Sequence, residues 1–337
     1  MNAPPDRESL LALIATLRAG RGYLHKTDIA AAAGTLEAVP GVAGDDGHGL
    51  GDDCAVLRVP GGGEGWLLFA MEGLVEELVA QAPWFAGFCS VLVNLSDVAA
   101  MGGRALAVAD ALWARDARHG AEVLAGIGAA ARAFGVPVAG GHSNYRAQRE
   151  QLAVAVTGHA RRLLTSFDAR PGDRLLMAVD LRGDWVAPWP YWDAATRAPA
   201  ERLRGDLELL PRLAEDGLSR AAKDISMAGI AGTALMFAEC SRAGLVIELD
   251  AIPAPPGVEV AHWLAAFPSY GYLLAAAPAQ AETVLERFRA RGIAAADIGG
   301  FEPGSGVRLE SRRAGAVAGF HDWQQQPFIR PPATGPG

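Results

Sequence analysis

The chain has little cysteine and almost no lysine. Three cysteines, Cys54, Cys89 and Cys240, are scattered over 337 residues. They are too few and too far apart for a disulfide framework or a zinc knuckle, so a reducing compartment is expected. Lysine occurs only at Lys26 and Lys223, the rest of the 30 basic residues being arginine. Each lysine is either a chance survivor of that replacement or a compact ammonium kept for a phosphate, which a guanidinium does not always replace. There is no basic run, and with a formal net charge of −8 the electrostatic footprint of a nucleic-acid binder is missing. A Walker A loop and a dinucleotide fingerprint are also missing, so any nucleotide must be held by another scaffold. Residues Met1 to Arg7 lack the basic-then-apolar order of a signal peptide. No apolar stretch reaches membrane-spanning length without a Gly-rich, Asp-bearing or Arg-bearing interruption. A cytoplasmic protein with neither membrane nor nucleic acid as partner is expected.

Half of the residues are apolar, enough to bury substantial cores, and the length favours two domains over one. Helical spacing of Leu10, Leu13, Ile14 and Leu17 predicts an opening amphipathic helix, and the Gly-rich stretch Gly41 to Gly51 follows. Strand-like runs at Cys54 to Val59 and Trp66 to Met71 flank a Pro60-Gly-Gly-Gly turn. Phe85, Phe88, Leu92, Leu95 and Val98 predict a buried helix over 84–101 that ends at Gly102-Gly103. Strand and helix then alternate: strand 105–113, helix 121–134, strand 136–139, strand 152–158. The turn Asp168 to Asp173 places a domain boundary near residue 165. The second half repeats the mixture, with strands at 175–179, 246–249, 272–276 and 294–301, and helices over 207–222, 230–243 and 281–291. The organisation expected is α+β: residues 1–44 as helix and Gly-rich loop, 45–165 and 166–329 as domains, and 330–337 as a disordered tail.

Three acidic motifs sit at the edges of these elements. In Gly51-Asp52-Asp53, two adjacent carboxylates enter a buried strand facing opposite ways, so one needs a cation, a donor or open water. Magnesium on nucleotide phosphates would supply the cation, because hard cations prefer carboxylate oxygen; a solvated strand-entry turn is the plain alternative. Asn94 and Asp97 lie three apart, on one face of an otherwise apolar helix, and demand partners there. A structural hydrogen-bond pair competes with a ligand site. In Lys223-Asp224-Ile225-Ser226, either Ser226 caps the next helix, or Asp224 joins a metal cluster and Lys223 a phosphate. Between these motifs Gly140-Gly141-His142-Ser143-Asn144 looks like a strand-to-loop transition whose glycines let backbone approach a ligand. His142 is either inert or a group that polarises or neutralises phosphate.

In this order the motifs, over roughly residues 45–310, resemble the superfamily of AIR synthetase, thiamine-monophosphate kinase, the hydrogenase maturation protein that makes thiocarbamate, and selenophosphate synthetase. Asp52-Asp53-Cys54-Ala55-Val56 is similar to the family's DDAAV, and Asn94-Leu-Ser-Asp97-Val-Ala-Ala-Met101-Gly to its NxSDxxAMG helix. Gly140-Gly-His142-Ser143, Leu152 to Gly158, Ala169 to Asp173 and Asp224-Ile-Ser-Met-Ala-Gly229 most resemble selenophosphate synthetase. The resemblance implies a two-domain AIR-synthetase-like fold, with an N-terminal domain whose strands build a β-barrel across a homodimer and an α/β C-terminal domain. It further implies ATP held between the domains, with Mg2+ on Asp52 or Asp53, Asp97 and Asp224. Gly51, Asn94, Gly140, Gly141, Ser143 and Asn144 would lie along the nucleotide, with Lys26, His142 and Lys223 as catalytic candidates. The implied activity is Mg-ATP-dependent phosphorylation or activation of a small-molecule acceptor. Selenophosphate synthesis, thiamine-monophosphate phosphorylation and a degenerate nucleotide-binding scaffold are the alternatives.

The departures are specific. Selenophosphate synthetase has a catalytic cysteine or selenocysteine beside a lysine in its N-terminal loop, whereas Arg21 to Lys26 has no cysteine. The thiamine-monophosphate kinase branch has aspartate where His142 stands. The family's acidic TxD position reads Met71-Glu72-Gly73, which leaves Glu72 as the ligand candidate. Three tryptophans, Trp185, Trp189 and Trp192, replace a glycine-rich turn; they either stack on a planar substrate or form a hydrophobic plug, the plug being favoured. Ser269 to Tyr272 stand where relatives place a small-residue loop.

Overall fold

A computed structural model describes residues 5–37 and 50–330. Most of the Gly41 to Gly51 stretch and the tail 331–337 lie outside the described residues. The chain divides into two compact units, one of residues 53–163 and 194–216, the other of 1–52, 164–193 and 217–337.

The smaller unit is built on one five-stranded sheet. Its strands are β1 (Ala55–Arg58), β2 (Trp66–Gly73), β3 (Arg104–Trp113), β4 (Val138–Asn144) and β5 (Gln151–Ala160), in the order β1-β2-β5-β3-β4. All pairings are antiparallel except β3 with β4, which the Ala117–Phe134 helix joins as a crossover. Alternation sets the two faces: Val56, Leu68 and Ala70 are buried, whereas Leu57, Phe69 and Met71 are 52%, 44% and 64% exposed. The Pro83–Ala100 and Ala117–Phe134 helices pack together at reciprocal glycines. A Cβ on Gly87 would meet the Val123 carbonyl at 2.0 Å, and one on Gly126 would meet the Trp84 carbonyl at 2.0 Å. By length and composition Pro83–Ala100 could cross a bilayer, yet 72% of it is buried, as befits a core helix. The sheet is open among the described residues, with no closed barrel.

Residues 194–216 join this unit because Arg104 binds Glu208 at 2.6 Å and Glu215 at 2.7 Å, which holds both carboxyls below their usual range. One helix over 207–222 is not what forms. Instead there are two, Ala200–Leu207 and Leu209–Glu215, followed by strand β9 (Ala221–Asp224). Pro211 cannot donate to an i−4 carbonyl, so the chain restarts a helix with Pro211 in its first turn. Gly217, at φ 66°, then ends it.

The larger unit holds a seven-stranded mixed sheet. To β9 it adds β6 (Arg174–Val179), β10 (Gly244–Glu248), β12 (Gly271–Ala276), β13 (Ala294–Glu302), β14 (Gly306–Ser311) and β15 (Ala316–Asp322), ordered β15-β14-β10-β13-β6-β12-β9. Only β10 and β14 run parallel. The Gly229–Cys240 helix is buried along its whole length. The first helix, α1 (Arg7–Ala19), adds Leu10, Ile14 and Leu17 to the same core. A small separate sheet joins β7 (Asp184–Trp185), β8 (Tyr191–Asp193) and β11 (Phe267–Pro268).

Candidate active site

The clearest polar feature of the smaller unit is on its most apolar helix. Asn94 is fully buried and Asp97 is 6% exposed, on one face of Pro83–Ala100. Asn94 donates its amide to the Ser90 carbonyl at 2.8 Å, while its Oδ1 is buried without a hydrogen-bond partner. A buried acceptor left this way costs about 1–3 kcal/mol unless a ligand completes it. Asp53, entering β1, places a carboxylate oxygen within 4.8 Å of one from Asp97. Oxygens on one hard cation, each about 2.1–2.5 Å from it, lie within about 4–5 Å of each other. The two converging carboxylates fit a divalent cation of the magnesium kind.

The other half of the acidic pair does different work. Asp52 belongs to the larger unit, where its Oδ1 accepts from the Ser166 hydroxyl at 2.5 Å and its Oδ2 from the Ser166 N–H at 3.0 Å. Ser241 continues the chain of bonds, donating to the Ser166 carbonyl at 2.6 Å and accepting from the Ala169 N–H at 3.2 Å. The Cys240 thiol, which burial pushes up to about 12, donates to the Gly51 carbonyl at 3.4 Å.

Residues Gly140 to Asn144 are a strand, not a loop. They form most of β4, paired in parallel with β3 and exposed along their length. A parallel partner supplies the backbone bonds that a Gly-Gly sequence alone does not promise. The His142 ring lies 5.9 Å from Trp113, and Asn144 uses its Oδ1 to accept from the Arg146 N–H at 2.9 Å, closing a turn. Gly141 is required, because a Cβ there would stand 2.3 Å from Asp110 Oδ1.

Asp110 lies outside the acidic motifs of the sequence. Its Oδ2 is buried with no hydrogen-bond partner, and burial raises its carboxyl above the usual range. The signal available was one acid in the apolar run Ala105 to Trp113. Glu72 is exposed on β2, two residues beyond Ala70 and opposite Val154 of β5.

In the larger unit Lys223 and Asp224 end β9 and are 4% and 5% exposed, opposite Leu273 and Tyr272 of β12. Ser226 does not cap the following helix. The N-cap position is Ala228, the Ser226 N–H donates to Thr233 Oγ1 at 3.1 Å, and the Ser226 hydroxyl is buried without a partner. Lys26 lies on a helix, α2 (Arg21–Glu37), and not in a loop. One turn earlier, Gly22 packs so closely that a Cβ would lie 1.8 Å from the Met227 carbonyl. The structure thus brings the turn bearing Lys26 to the Lys223–Gly229 segment.

The tryptophan-rich segment behaves as a plug at its base. Trp192 and Trp263 are buried, and their indole N–H groups donate to the carbonyls of Asp180 and Pro253 at 2.9 and 2.8 Å. Trp185 stands edge-on to both, with centroids 5.4 and 6.0 Å away. Ser269 to Tyr272 lead from β11 into β12, and the Tyr270 and Tyr272 rings meet edge to face at 5.0 Å.

The chain is similar to several known proteins. A protein of Synechocystis sp. with no assigned activity is 44% identical over 318 residues, covering 94% of this chain and 97% of that one. The selenide, water dikinase of Myxococcus xanthus is 28% identical over 243 residues, 68% of this chain and 67% of the enzyme. The thiamine-monophosphate kinase of Pyrococcus horikoshii is 29% identical over 225 residues, 62% of this chain and 69% of the enzyme. Thermotoga maritima PurL complexed with ATP shares the fold, with a TM-score of 0.74 at 18% identity over 96% of this chain, which spans only 55% of the PurL chain. Residues 51–161 match the N-terminal domain of AIR synthase related proteins and residues 182–312 their C-terminal domain, so the chain belongs to that family.

Proposed function

We propose that the protein is an Mg-ATP-dependent enzyme that phosphorylates or activates a small-molecule acceptor. The observation that carries this reading is the convergence of the Asp53 and Asp97 carboxylates, with Asn94, whose Oδ1 is buried and unsatisfied, one helical turn from Asp97. The kinship with selenide, water dikinase and thiamine-monophosphate kinase supports it. Asp97, Asp53 and Asn94 would hold the cation, and Asp224 would be the third carboxylate. Bound magnesium would draw charge from the nucleotide phosphates. Lys223 and Lys26 would each set an ammonium against a phosphate oxygen. Asp52 fixes the Gly51–Asp52 backbone through Ser166.

The same reading takes the exposed apolar face of the five-stranded sheet, at Leu57, Phe69 and Met71, as the surface on which a second copy completes a shared barrel. A selenium acceptor is disfavoured because Arg21 to Lys26 offers no thiol.

The test is calorimetric titration with a non-hydrolysable ATP analogue, with and without magnesium, beside Asp97→Asn. Magnesium-dependent binding lost in the variant is the expected result. Binding that ignores both magnesium and the substitution would remove the assignment, and no binding at all would favour a degenerate scaffold.

A further inference from the structure

Alongside α1, within the larger unit, lies a cavity of about 590 Å³ bounded by that helix and the β14–β15 hairpin. Its volume is within the range of small-molecule sites, about 300–1,000 Å³. Three arginines line it, Arg7, Arg18 and Arg308, against one carboxylate, Asp322. On a chain with 38 acidic and 30 basic residues that local sign is inverted.

The geometry of the arginines suits an elongated anion. Arg7 and Arg18 are three helical turns apart on one face of α1, so their Cα atoms are separated by about 16 Å along the axis. Neither forms an ion pair with a carboxylate among the described residues; Arg18 makes a long 3.4 Å bond to the Gln326 side chain and bonds the Tyr23 hydroxyl, both uncharged partners. Arg308 is oriented by Glu302, which grips its guanidinium through both oxygens. Gly319 faces it across the ladder and leaves open space there.

With Arg308 paired to Glu302, the positive charge of Arg7 and Arg18 exceeds the single negative charge of Asp322 in the lining. Asp322 is occupied by the turn that follows β15, accepting from the N–H groups of Gln324 and Gln325 and from the Gln325 side chain. His321 donates from Nε2 to the Gln326 carbonyl at 2.6 Å, and burial holds the ring below its usual pKa, which favours the neutral form with Nδ1 toward the Tyr23 hydroxyl at 3.0 Å.

From these residues we infer that the cavity between α1 and the β14–β15 hairpin is a second ligand site, for a phosphorylated small molecule carrying two or more anionic groups. Guanidinium forks match phosphate oxygens two at a time, and the spacing of Arg7 and Arg18 requires charge at both ends of the ligand. The cavity shares no residue with the proposed nucleotide site.

The test is calorimetric titration of the full chain with sodium tripolyphosphate, without magnesium and at near-physiological salt to suppress diffuse binding. The parent is compared with Arg7→Gln/Arg18→Gln, with Arg18→Lys and with Asp97→Asn. Both arginines are exposed, so the double variant should keep its Tm. One saturable site is expected in the parent and in Asp97→Asn, with affinity at least tenfold weaker in the double variant. Arg18→Lys, which keeps the charge and loses the fork, should fall between them. No saturable binding in the parent, unchanged affinity in the double variant, or loss in Asp97→Asn would each overturn the site. Citrate binding as tightly as tripolyphosphate would overturn the phosphate assignment.

Discussion

Asp52 and Ser166, 114 residues apart, are joined by two hydrogen bonds from the serine hydroxyl and N–H to the two carboxylate oxygens. Asp53, its neighbour, instead lies within 4.8 Å of Asp97. The chain bends here before β1 begins at Ala55, and the two neighbouring side chains part, one as a clamp and one as a ligand candidate.

That division predicts opposite phenotypes. Asp52→Ala leaves the Ser166 donors without their carboxylate and should cost about 2–4 kcal/mol, since bonds to charged acceptors are worth roughly 1.5–3 kcal/mol each and are partly replaced by water. Asp53→Asn should leave Tm nearly unchanged and remove the magnesium dependence of nucleotide binding. Thermal melts beside calorimetry decide it. If Asp52→Ala melted like the parent, the clamp would not be structural.

Asn94 offers a sharper separation of stability from function. Its Oδ1 is buried and unsatisfied in a helix otherwise packed with apolar side chains. Asn94→Leu removes both polar groups at little change in volume, which is neutral or stabilising for folding. The expected result is a Tm equal to or above the parent's with nucleotide affinity lost. A variant that melts lower and still binds would make Asn94 a structural residue.

These two sites differ in how visible they were beforehand. Asn94 and Asp97 could be picked out because a polar pair three residues apart contradicts an apolar helix. Asp110 could not, because a lone acid in a strand announces nothing until Gly141 is found packed against it. The glycines make Gly140 to Asn144 look like a strand-to-loop transition, and pairing with β3 overrides that local preference and carries the strand through Asn144. The helix expected over 207–222 failed because Pro211 and Gly217 interrupt it, leaving Ala221 to Asp224 to pair with β12. Asp52 and Asp53 were indistinguishable, since which one meets Ser166 depends on a contact 114 residues away.

Asp110 makes a pH-dependent prediction. Burial raises its carboxyl above the usual value of 3.8, so the folded chain holds that proton more tightly than the unfolded chain does. Stability from this group is therefore fully present below 3.8 and is lost as pH rises through the folded value. Asp110→Asn removes the ionisation. It should raise Tm relative to the parent at neutral pH, and the gain should shrink as pH approaches 3.8. A difference in Tm that does not vary with pH would mean the carboxylate is not destabilising.

Glu239 fixes the end of the described chain. It is 3% exposed and accepts from the Phe328 and Ile329 N–H groups, both at 2.8 Å. Glu239→Ala would leave two buried donors unpaired and should cost about 2–5 kcal/mol. Faster proteolysis after Asp322 would accompany the lower Tm. Unchanged cleavage would show that Phe328 and Ile329 are held by their apolar packing alone.

The open sheet of the smaller unit sets the last expectation. Phe69 and Met71 are 44% and 64% exposed on β2, with Leu57 beside them on β1, while their alternating neighbours Leu68 and Ala70 are buried. A sheet with helices on one face and a row of large apolar side chains on the other presents that second face as a candidate interaction surface. If a second copy covers it, sedimentation at micromolar concentration gives a dimer. Phe69→Lys/Met71→Lys then gives a folded monomer, because the substitutions sit on the outward face and leave the core untouched. A parent that sediments as a monomer would remove the shared barrel from the proposal while leaving the Asp53–Asp97 site intact.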